Sequence, residues 1–515
     1  MNSKDTLARR ILAVVGALGL GASTMIGAST AAFAAVGDVG PDQPNHPTSG
    51  SLSIHKRVGT QGSAGDGTEL QTPPGTPLAG AQFTIWQLGK EASGGCHALD
   101  LTQPDAWASV PTGTAPTSIA GVQAAGFCLV APTGTAQTTD AAGMTTFSNL
   151  GLGLYYVQET NAPASVVSKA APFYVSIPLP HADGSWIYNV HAYPKNQVTE
   201  GPAKTINTTP DQPAQGLVVG STVEWTITQT VPALNAGEVY TSASIWDVLP
   251  ADGSLEYDST TSVMVGNTVL VEGTDYTINT AGVTWTLTET GRGKIQAGDV
   301  ITVVFKTKVL KVTQTGEIAN PGSDGSEPGY GSEFNGSEVP GVPTPYTYWG
   351  ALKVTKVDKN QAALAGAVFE IYQRTGTTCA AEAPATGLVS TGTSGTDGVV
   401  TWTPNTPDNS SPLGLFVANS NDGQLVDPTM VYCLYETRAP SGYTGVGVQT
   451  VTIRAGSTLT VNVNDLTIEN KPKEGPNLPL TGAEGTLAMS VGGIMLVAAG
   501  MSIYLVSRRR QTQQA

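Results

Sequence analysis

Basic side chains are scarce in this 515-residue chain, which has 25 Lys and Arg against 40 Asp and Glu. The formal net charge of −15 argues against nucleic acid and anionic membrane surfaces as partners. Histidine is also rare, and the chain has no nucleophile elbow, HExxH zinc motif or phosphate-binding loop. We therefore expect no enzyme, no metal site and no cofactor. Calcium stays an open alternative, although no acidic loop has a clear EF-hand pattern.

Glycine and proline, in contrast, are abundant, with 61 and 34 residues. Together with frequent Thr, Val and Ser they indicate short strands joined by many turns. Aliphatic and aromatic residues occur throughout, and only 13% of the chain is charged, so it is not expected to be disordered. The length corresponds to about three domains. The sequence predicts an all-β, multidomain protein.

Residues 1–34 are predicted to be a cleaved export signal. Its parts are a basic start, an apolar stretch and a small-x-small cleavage site: Lys4, Arg9 and Arg10, then Ile11 to about Ile26, then Ala32-Phe33-Ala34. Outside the cell, cysteines can form stable disulfides. Three connectivities are possible for four cysteines, and local pairing, Cys96 with Cys128 and Cys379 with Cys433, is the preferred one.

The C-terminal region, 474–515, has three consecutive parts. They are the motif Leu478-Pro479-Leu480-Thr481-Gly482, an apolar run over 487–506, and the basic tail Arg508, Arg509 and Arg510. The run is long enough to span a bilayer, and the arginines should stay on the cytoplasmic side. This order resembles the LPxTG cell-wall sorting signal of Gram-positive surface proteins. The resemblance implies that a sortase cleaves after Thr481 and transfers the Thr to an amine. A plain single-pass anchor is the alternative.

Two regions of the chain repeat one pattern, after a leader at 35–50. Residues 51–196 and 346–473 share a strand with a lysine, then Leu-Ala-Gly-Ala-x-Phe, then a strand with Glu-Thr-x-Ala-Pro. This pattern resembles the CnaB-type immunoglobulin-like sandwich of bacterial surface proteins. The intervening region, 197–345, has different strand-like runs and resembles the CnaA-like variant. The resemblance therefore implies three tandem immunoglobulin-like β-sandwiches in the order CnaB-like, CnaA-like, CnaB-like.

The first region ends in Trp186-Ile187-Tyr188-Asn189-Val190-His191-Ala192-Tyr193-Pro194-Lys195. This segment resembles the pilin motif of sortase-assembled pili, with Ala192 where the family usually has Val. The resemblance implies that the amine of Lys195 accepts Thr481 of another copy. The lysine should then be accessible at the surface, because the amine must be deprotonated to attack. A solvated lysine at a strand end is the alternative interpretation.

Two sets of residues resemble the isopeptide-forming trios of these domains. They are Lys356, Glu436 and Asn470 in the third region, and Lys204, Asp247 and Asn320 in the middle one. The resemblance implies a Lys–Asn amide promoted by the acidic residue, and burial disfavours the charged forms of lysine and carboxyl alike. An uncrosslinked buried ion pair is the alternative, although such pairs are costly. Lys306, Lys308 and Lys311 compete with Lys204 for the middle assignment.

The first region has Lys56 and Glu159 at the matching places. Aligning its end, through Tyr193-Pro194-Lys195, with Lys471-Pro472-Lys473 puts Ala192 at the position of the reactive Asn470. The alignment thus predicts no isopeptide bond in the first region. The expected path of mechanical load supports this expectation. Tension that enters at Lys195 would pass through the middle and third regions to Thr481, and the first region would not bear it.

The whole order of parts resembles the backbone pilins of Actinomyces fimbriae and of Corynebacterium. The resemblance implies a major structural subunit of a covalent surface pilus, located at the cell wall from a membrane-anchored precursor, that supports adhesion. It also implies a pilin-specific sortase, identical subunits head to tail, minor pilins, and peptidoglycan linked at the base by a housekeeping sortase. A host receptor, and a role as wall-anchored adhesin or as tip or base pilin, stay open alternatives.

Overall fold

Strands make up 45% of the chain and helices 10%, so the prediction of a β-rich fold is confirmed. The computed structural model describes residues 39–320, 329–403, 411–459, 464–475 and 483–511. The predicted export signal and the motif at 478–482 lie outside the described residues. The chain forms two compact units. Unit 1 comprises the residues up to Pro163 together with Lys169–Asn196, and unit 2 comprises Ala164–Ser168 and the residues from Gln197 onward.

The strands of unit 1 are short and mostly antiparallel. They are β1 (Ser49–His55), β2 (Arg57–Val58), β3 (Thr76–Pro77), β4 (Gln82–Ala92), β5 (Gly95–Ala98), β6 (Cys128–Leu129), β7 (Thr135–Thr138), β8 (Met144–Gly151), β9 (Gly153–Asn161), β11 (Phe173–Ile177), β12 (Leu179–Pro180), β13 (Trp186–Ile187), β14 (Asn189–Ala192) and the start of β15 (Lys195–Val198), while β10 (Val166–Ser168) belongs to unit 2. Helix α1 (Ile119–Ala124) and a 3-10 turn (Pro104–Ser109) lie in the insertion between β5 and β6.

The main sheets of unit 1 have the strand orders β14-β1-β8 and β11-β9-β4-β5, with β6 and β7 also on β4. Successive side chains of a strand point to opposite faces. In β9 the buried Tyr155 and Val157 therefore join the inner core with Leu52 and Ile54 of β1. The other face of the same strand packs under the insertion, in a second core that contains Tyr156.

Within its described residues, unit 2 has four five-stranded sheets. The first half of unit 2 (residues 197–345) contains β16 (Ala203–Ile206), β17 (Thr222–Thr230), β18 (Ala243–Asp247), β19 (Leu255–Val265), β20 (Thr268–Val269), β21 (Tyr276–Asn279), β22 (Thr284–Leu287), β23 (Val300–Val309), β24 (Glu317–Ala319), β25 (Tyr330–Phe334) and β26 (Ser337–Pro340), with a 3-10 turn (Thr209–Ala214) and helix α2 (Glu289–Arg292). Two of its sheets run β16-β17-β23-β19-β20 and β21-β22-β18-β25-β26.

The second half of unit 2 (residues 346–473) is built on one long strand. Its elements are β27 (Tyr346–Asp358), β28 (Val368–Gln373), β29 (Leu388–Ser394), β30 (Val400–Thr403), β31 (Leu413–Ser420), β32 (Thr429–Arg438), β33 (Tyr443–Thr444), β34 (Gln449–Arg454) and β35 (Asp465–Pro472). The sheets run β24-β27-β35-β33, with β31 also on β27, and β30-β29-β28-β32-β34. Strand β24 of the first half thus pairs with β27 of the second. The division into three domains stays a prediction.

Helix α3 (Ala483–Gln511) follows the predicted sorting motif at 478–482. Its segment Met489–Arg509 has 21 residues with a mean hydropathy of 1.9, which is long and apolar enough to cross a membrane. The apolar run predicted at 487–506 lies within this helix.

Candidate isopeptide sites and acceptor lysine

A buried lysine, carboxyl and carboxamide meet in the inner core of unit 1. Lys56 continues the inward-facing series Leu52 and Ile54, and Glu159 lies on the inner face of β9. The carboxamide comes from Asn196 in β15, and the side chains of the lysine and the acid are fully buried. Three polar residues therefore share one water-excluded position.

The three side chains are hydrogen-bonded to one another. Lys56 Nζ donates to Glu159 Oε2 at 2.9 Å and to Asn196 Oδ1 in a very short contact. Asn196 Nδ2 donates to Glu159 Oε1 at 2.6 Å. The amine thus lies directly beside the carboxamide, and the acid bridges both groups.

This arrangement corrects the expectation that Ala192 takes the amide position. In the parallel pairing of unit 1, Asn196 lies opposite Val58, two residues after Lys56. In the second half of unit 2, Asn470 lies opposite Asp358, likewise two residues after Lys356. Asn196 is therefore the structural equivalent of Asn470.

The sequence alignment was wrong because it was anchored on a shared Pro-Lys pair. In the structure Ala192 ends β14, where it pairs with Ile54, before the strand is interrupted at Pro194 and resumes as β15. The matching position in the other repeat is the strand interior at Leu466. The signal in the sequence was Asn196 itself, directly after the predicted acceptor Lys195.

The predicted trio of the second half comes together as expected. Lys356 Nζ donates to Asn470 Oδ1 at 2.5 Å and lies 3.5 Å from Glu436 Oε1. Asn470 Nδ2 donates to the same carboxyl oxygen at 2.8 Å. The side chains of lysine and acid are fully buried.

The predicted trio of the first half also comes together, with different contacts. Lys204 Nζ lies 2.8 and 2.7 Å from the two carboxyl oxygens of Asp247. Asn320 Nδ2 donates to Asp247 Oδ2 at 3.0 Å, and all three residues are fully buried. Asn320 Oδ1 is buried without a hydrogen-bond partner among the described residues, so the amine is on the acid rather than on the carboxamide.

The competing lysines of the first half lie elsewhere. Lys306 is half-buried beside Glu224 at 3.8 Å, and Lys308 is exposed. Lys311 Nζ donates to the backbone oxygen of Asp252 at 2.5 Å. Of the predicted candidates, Lys204 is therefore the lysine that reaches Asp247.

Burial prepares these amines for nucleophilic attack. Desolvation lowers the pKa of Lys56 to about 8, against the opposing charge of Glu159. It lowers the pKa of Lys204 to about 8 against Asp247, and the pKa of Lys356 also falls. A larger fraction of each amine is thus neutral near neutral pH, and a neutral amine beside a carboxamide can form an amide with loss of ammonia.

Lys195 is the outward-facing neighbour of Asn196. It is half-buried, and its backbone amide donates to Gln61 Oε1 at 3.1 Å. Its Nζ lies close to Gly62. Neighbouring residues of a strand face opposite sides, so one short strand presents an amine outward and a carboxamide inward.

Both preferred disulfides are present. Cys96 pairs with Cys128 and closes the insertion of unit 1, and Cys379 pairs with Cys433. Cys433 packs with Tyr372 and Tyr435, on the face of β32 opposite Glu436. Cys433 and Glu436 are three residues apart, and residues at an odd spacing on a strand face opposite sides. Among the described residues, no group of three or more His, Cys, Asp or Glu side chains could hold a metal ion.

Three family models match parts of the chain. The N-terminal domain D1 of Gram-positive pilin subunits matches 47–197, a prealbumin-like fold domain matches 350–412, and the LPXTG cell wall anchor motif matches 470–512. The first match ends just beyond Lys195 and Asn196, and the last one includes the predicted sorting motif.

Similar proteins extend over nearly the whole chain. Fimbrial subunit type 2 of Actinomyces naeslundii is 32% identical, with 99% of this chain and 98% of that protein covered. Fimbrial subunit type 1 of Actinomyces viscosus is 29% identical, with 96% and 98% covered. The solved full-length major pilin SpaD of Corynebacterium diphtheriae is 29% identical, with a TM-score of 0.61, and the match covers 84% of this chain and all of that one.

Proposed function

Since this chain belongs to the Gram-positive fimbrial subunits, we propose that Lys195 and Thr481 are the two ends of its polymer bond. The protein is a structural pilin of a sortase-polymerised, cell-wall-anchored fimbria and not an enzyme. The finer assignment has Thr481 of one copy joined through its carbonyl carbon to Lys195 Nζ of the next. Identical subunits would then repeat head to tail, with minor pilins and a wall link at the base.

One observation supports this assignment above the others. Lys195 is a half-buried residue on the outer side of a strand whose next residue, Asn196, is fully buried and contacts Lys56. An acceptor amine must be reachable by the acyl-enzyme, yet the strand that carries it must withstand tension. The adjacent outward and inward positions meet both requirements.

We further propose three Lys–Asn isopeptide bonds, where the sequence predicted two. They join Lys56 to Asn196, Lys204 to Asn320 and Lys356 to Asn470, with Glu159, Asp247 and Glu436 as the acids. In each step Lys Nζ attacks the Asn carbonyl carbon, the bond to Nδ2 breaks, and ammonia leaves. The buried amines with lowered pKa support this chemistry.

The additional bond in unit 1 changes the mechanical argument. Strand β15 is held to β2 at two paired positions, Lys195 with Arg57 and Asn196 with Val58. Tension applied through Lys195 would pull this short strand along its own direction and could strip it from its neighbour. A covalent bond from Asn196 to Lys56 would keep the strand in register, even though most of unit 1 lies outside the load path.

The polymer assignment is tested by replacing Lys195 with Arg, which retains the charge and removes the primary amine nucleophile. Cell-wall extracts should lose the ladder of high-mass fimbrial polymers and retain wall-linked monomer. Lys169→Arg, at an exposed lysine of the same unit, is the matched control and should leave the ladder intact. Persistent polymers in Lys195→Arg would contradict the assignment and favour a different acceptor.

A further inference from the structure

One backbone amide in unit 1 points at the reacting oxygen of the Lys56 site. Ala170 N lies 2.7 Å from Asn196 Oδ1 and 3.3 Å from Glu159 Oε2. Ala170 is itself buried, in the connection that precedes β11. The donor is therefore fixed by the chain, is protected from water, and lies closer to the carboxamide oxygen than to the acid.

The chemistry of bond formation places negative charge on that same oxygen. When the neutral amine of Lys56 attacks Asn196 Cγ, the electron pair of the carbonyl bond moves onto Oδ1. The intermediate collapses when the bond from Cγ to Nδ2 breaks and Nδ2 leaves as ammonia. Glu159 takes a proton from Nζ at Oε2, which accepts from Nζ at 2.9 Å, and delivers a proton to Nδ2 from Oε1, which accepts from Nδ2 at 2.6 Å. The balance is one amine plus one carboxamide, giving one secondary amide plus ammonia.

We propose that the backbone N–H of Ala170 is the oxyanion donor for the Lys56–Asn196 bond. A fixed donor aimed at developing charge in a water-excluded site lowers the barrier without reorganisation. Lys56 cannot fill this role throughout the reaction, because its nitrogen becomes bonded to Cγ. This inference rests on the proposed bond in unit 1.

The equivalent amide in the second half of unit 2 is used differently. Val446 lies two residues after β33, as Ala170 lies two residues after β10, and each of these short strands pairs with the strand that carries the asparagine. Val446 N donates to Glu436 Oε2 at 2.8 Å. In that half the amide contacts the acid, so it is not placed to act as the oxyanion donor there.

The test removes the single N–H while keeping the side chain. The full chain is made by cell-free translation in detergent micelles with lactic acid in place of Ala170, which changes the amide to an ester. After transfer from denaturant into folding buffer, mass spectrometry follows formation of the Lys56–Asn196 cross-link over time. The same replacement at Ala171 is the matched control. The rate at which the Lys356–Asn470 cross-link forms in the same sample is the internal reference.

The ester at Ala170 should slow the Lys56–Asn196 cross-link by about 100- to 1,000-fold, the range expected for loss of one oxyanion donor. The other two cross-links, and all three in the Ala171 ester, should form at the wild-type rate. An unchanged rate at Lys56–Asn196 would overturn the oxyanion role and leave the bond itself established. Absence of that cross-link in the wild-type chain would instead overturn the proposed bond in unit 1, and the oxyanion role with it.

A second measurement covers the case in which the Ala170 ester does not fold, recognised by loss of the Cys96–Cys128 disulfide. The Lys56→Met chain cannot cross-link, so the hydrogen bond persists and is visible by NMR of chain labelled selectively at Lys169 and Ala170. Adding Asn196→Leu should move the Ala170 amide proton upfield, because the amide loses its nearer acceptor at 2.7 Å and retains only Glu159 Oε2 at 3.3 Å. A resonance that does not move would overturn the proposal.

Discussion

The lysine, acid and asparagine of unit 1 are arranged like those of the second half of unit 2, but the strands that hold them differ. In the second half, Lys356 and Asn470 lie within two uninterrupted strands, β27 and β35. In unit 1 both strands are interrupted, between β1 and β2 at Lys56 and between β14 and β15 before Lys195. The register of the parallel pairing is nevertheless the same on both sides of the interruption, since Ile54 pairs with Ala192 and Arg57 with Lys195.

This comparison indicates that register, rather than local motif, positions the carboxamide. The position before the asparagine faces outward in both regions, and it is Lys195 in unit 1 and the exposed Glu469 in the other. The second repeat thus has an acidic residue at the position where the first has Lys195, the proposed acceptor. The next residue in each region is the asparagine that we propose forms the isopeptide bond, and it occupies the same position in the strand pairing.

The largest effect is expected from removing the acid in either region. Glu159→Ala and Glu436→Ala should each prevent their own bond and leave a buried lysine without its carboxyl partner. An uncompensated buried charge costs about 3–5 kcal/mol, in addition to the loss of the covalent constraint. Intact-mass analysis should find each variant retaining one more ammonia than the wild type, and thermal unfolding should begin in the altered region. A cross-link that still forms in Glu159→Ala would show that unit 1 does not use the mechanism of the second half.

Removing the asparagine should have a smaller effect that is nearly equal in the two regions. The bonds would close loops of 140 and 114 residues, and the entropy of loop closure depends on the logarithm of length. In the chain-entropy model, each bond then contributes at most about 4–5 kcal/mol to the free energy of unfolding. Asn196→Ala and Asn470→Ala should therefore lower the free energy of unfolding of their regions by similar amounts in denaturant titrations. A loss confined to Asn470→Ala would mean that the bond of unit 1 does not form.

The rate of bond formation should depend on pH in the same way for the two lysines whose pKa is lowered to about 8, Lys56 and Lys204. Below that pH the amine is protonated and cannot attack, so the rate should rise about tenfold per pH unit and level off above about pH 8. Cell-free chain transferred from denaturant into buffers between about pH 6 and 10 gives both rates by mass spectrometry. Rates that continue to rise up to the ordinary lysine pKa would contradict the effect of burial.

Much of this site was predictable from alternation in the sequence. Lys56 and Lys356 each continue an inward-facing series of apolar residues, and the acids do so on their own strands. Lys204 is the first inward-facing residue of β16 and is followed on that face by Ile206. The disulfide pairs were predictable because the two cysteines of each pair lie in the same region of the chain. These features depend on the two-residue period of a strand, which is visible within a single segment.

The position of Asn196 was not predictable in the same way, because it depends on pairing between distant strands. A proline that interrupts a strand leaves the register of the parallel strand pairing unchanged, but the sequence of one segment does not reveal with which residues of the other strand it pairs. The donor role of Ala170 was equally hidden, since a backbone amide has no signature in the sequence.

The smallest effect is expected at the residue on which the alignment relied. Ala192→Asn puts a carboxamide where the alignment expected one, but Ala192 pairs with Ile54, on the side of Lys56 away from Val58. The variant should retain the Lys56–Asn196 bond and should lose only about 1–3 kcal/mol for burying a polar group. With Asn196→Ala added, no bond should form in unit 1, because the introduced carboxamide stays out of register with the amine. Peptide mapping of the double variant decides the point, and a cross-link from Lys56 to position 192 would show that strand register does not select the carboxamide.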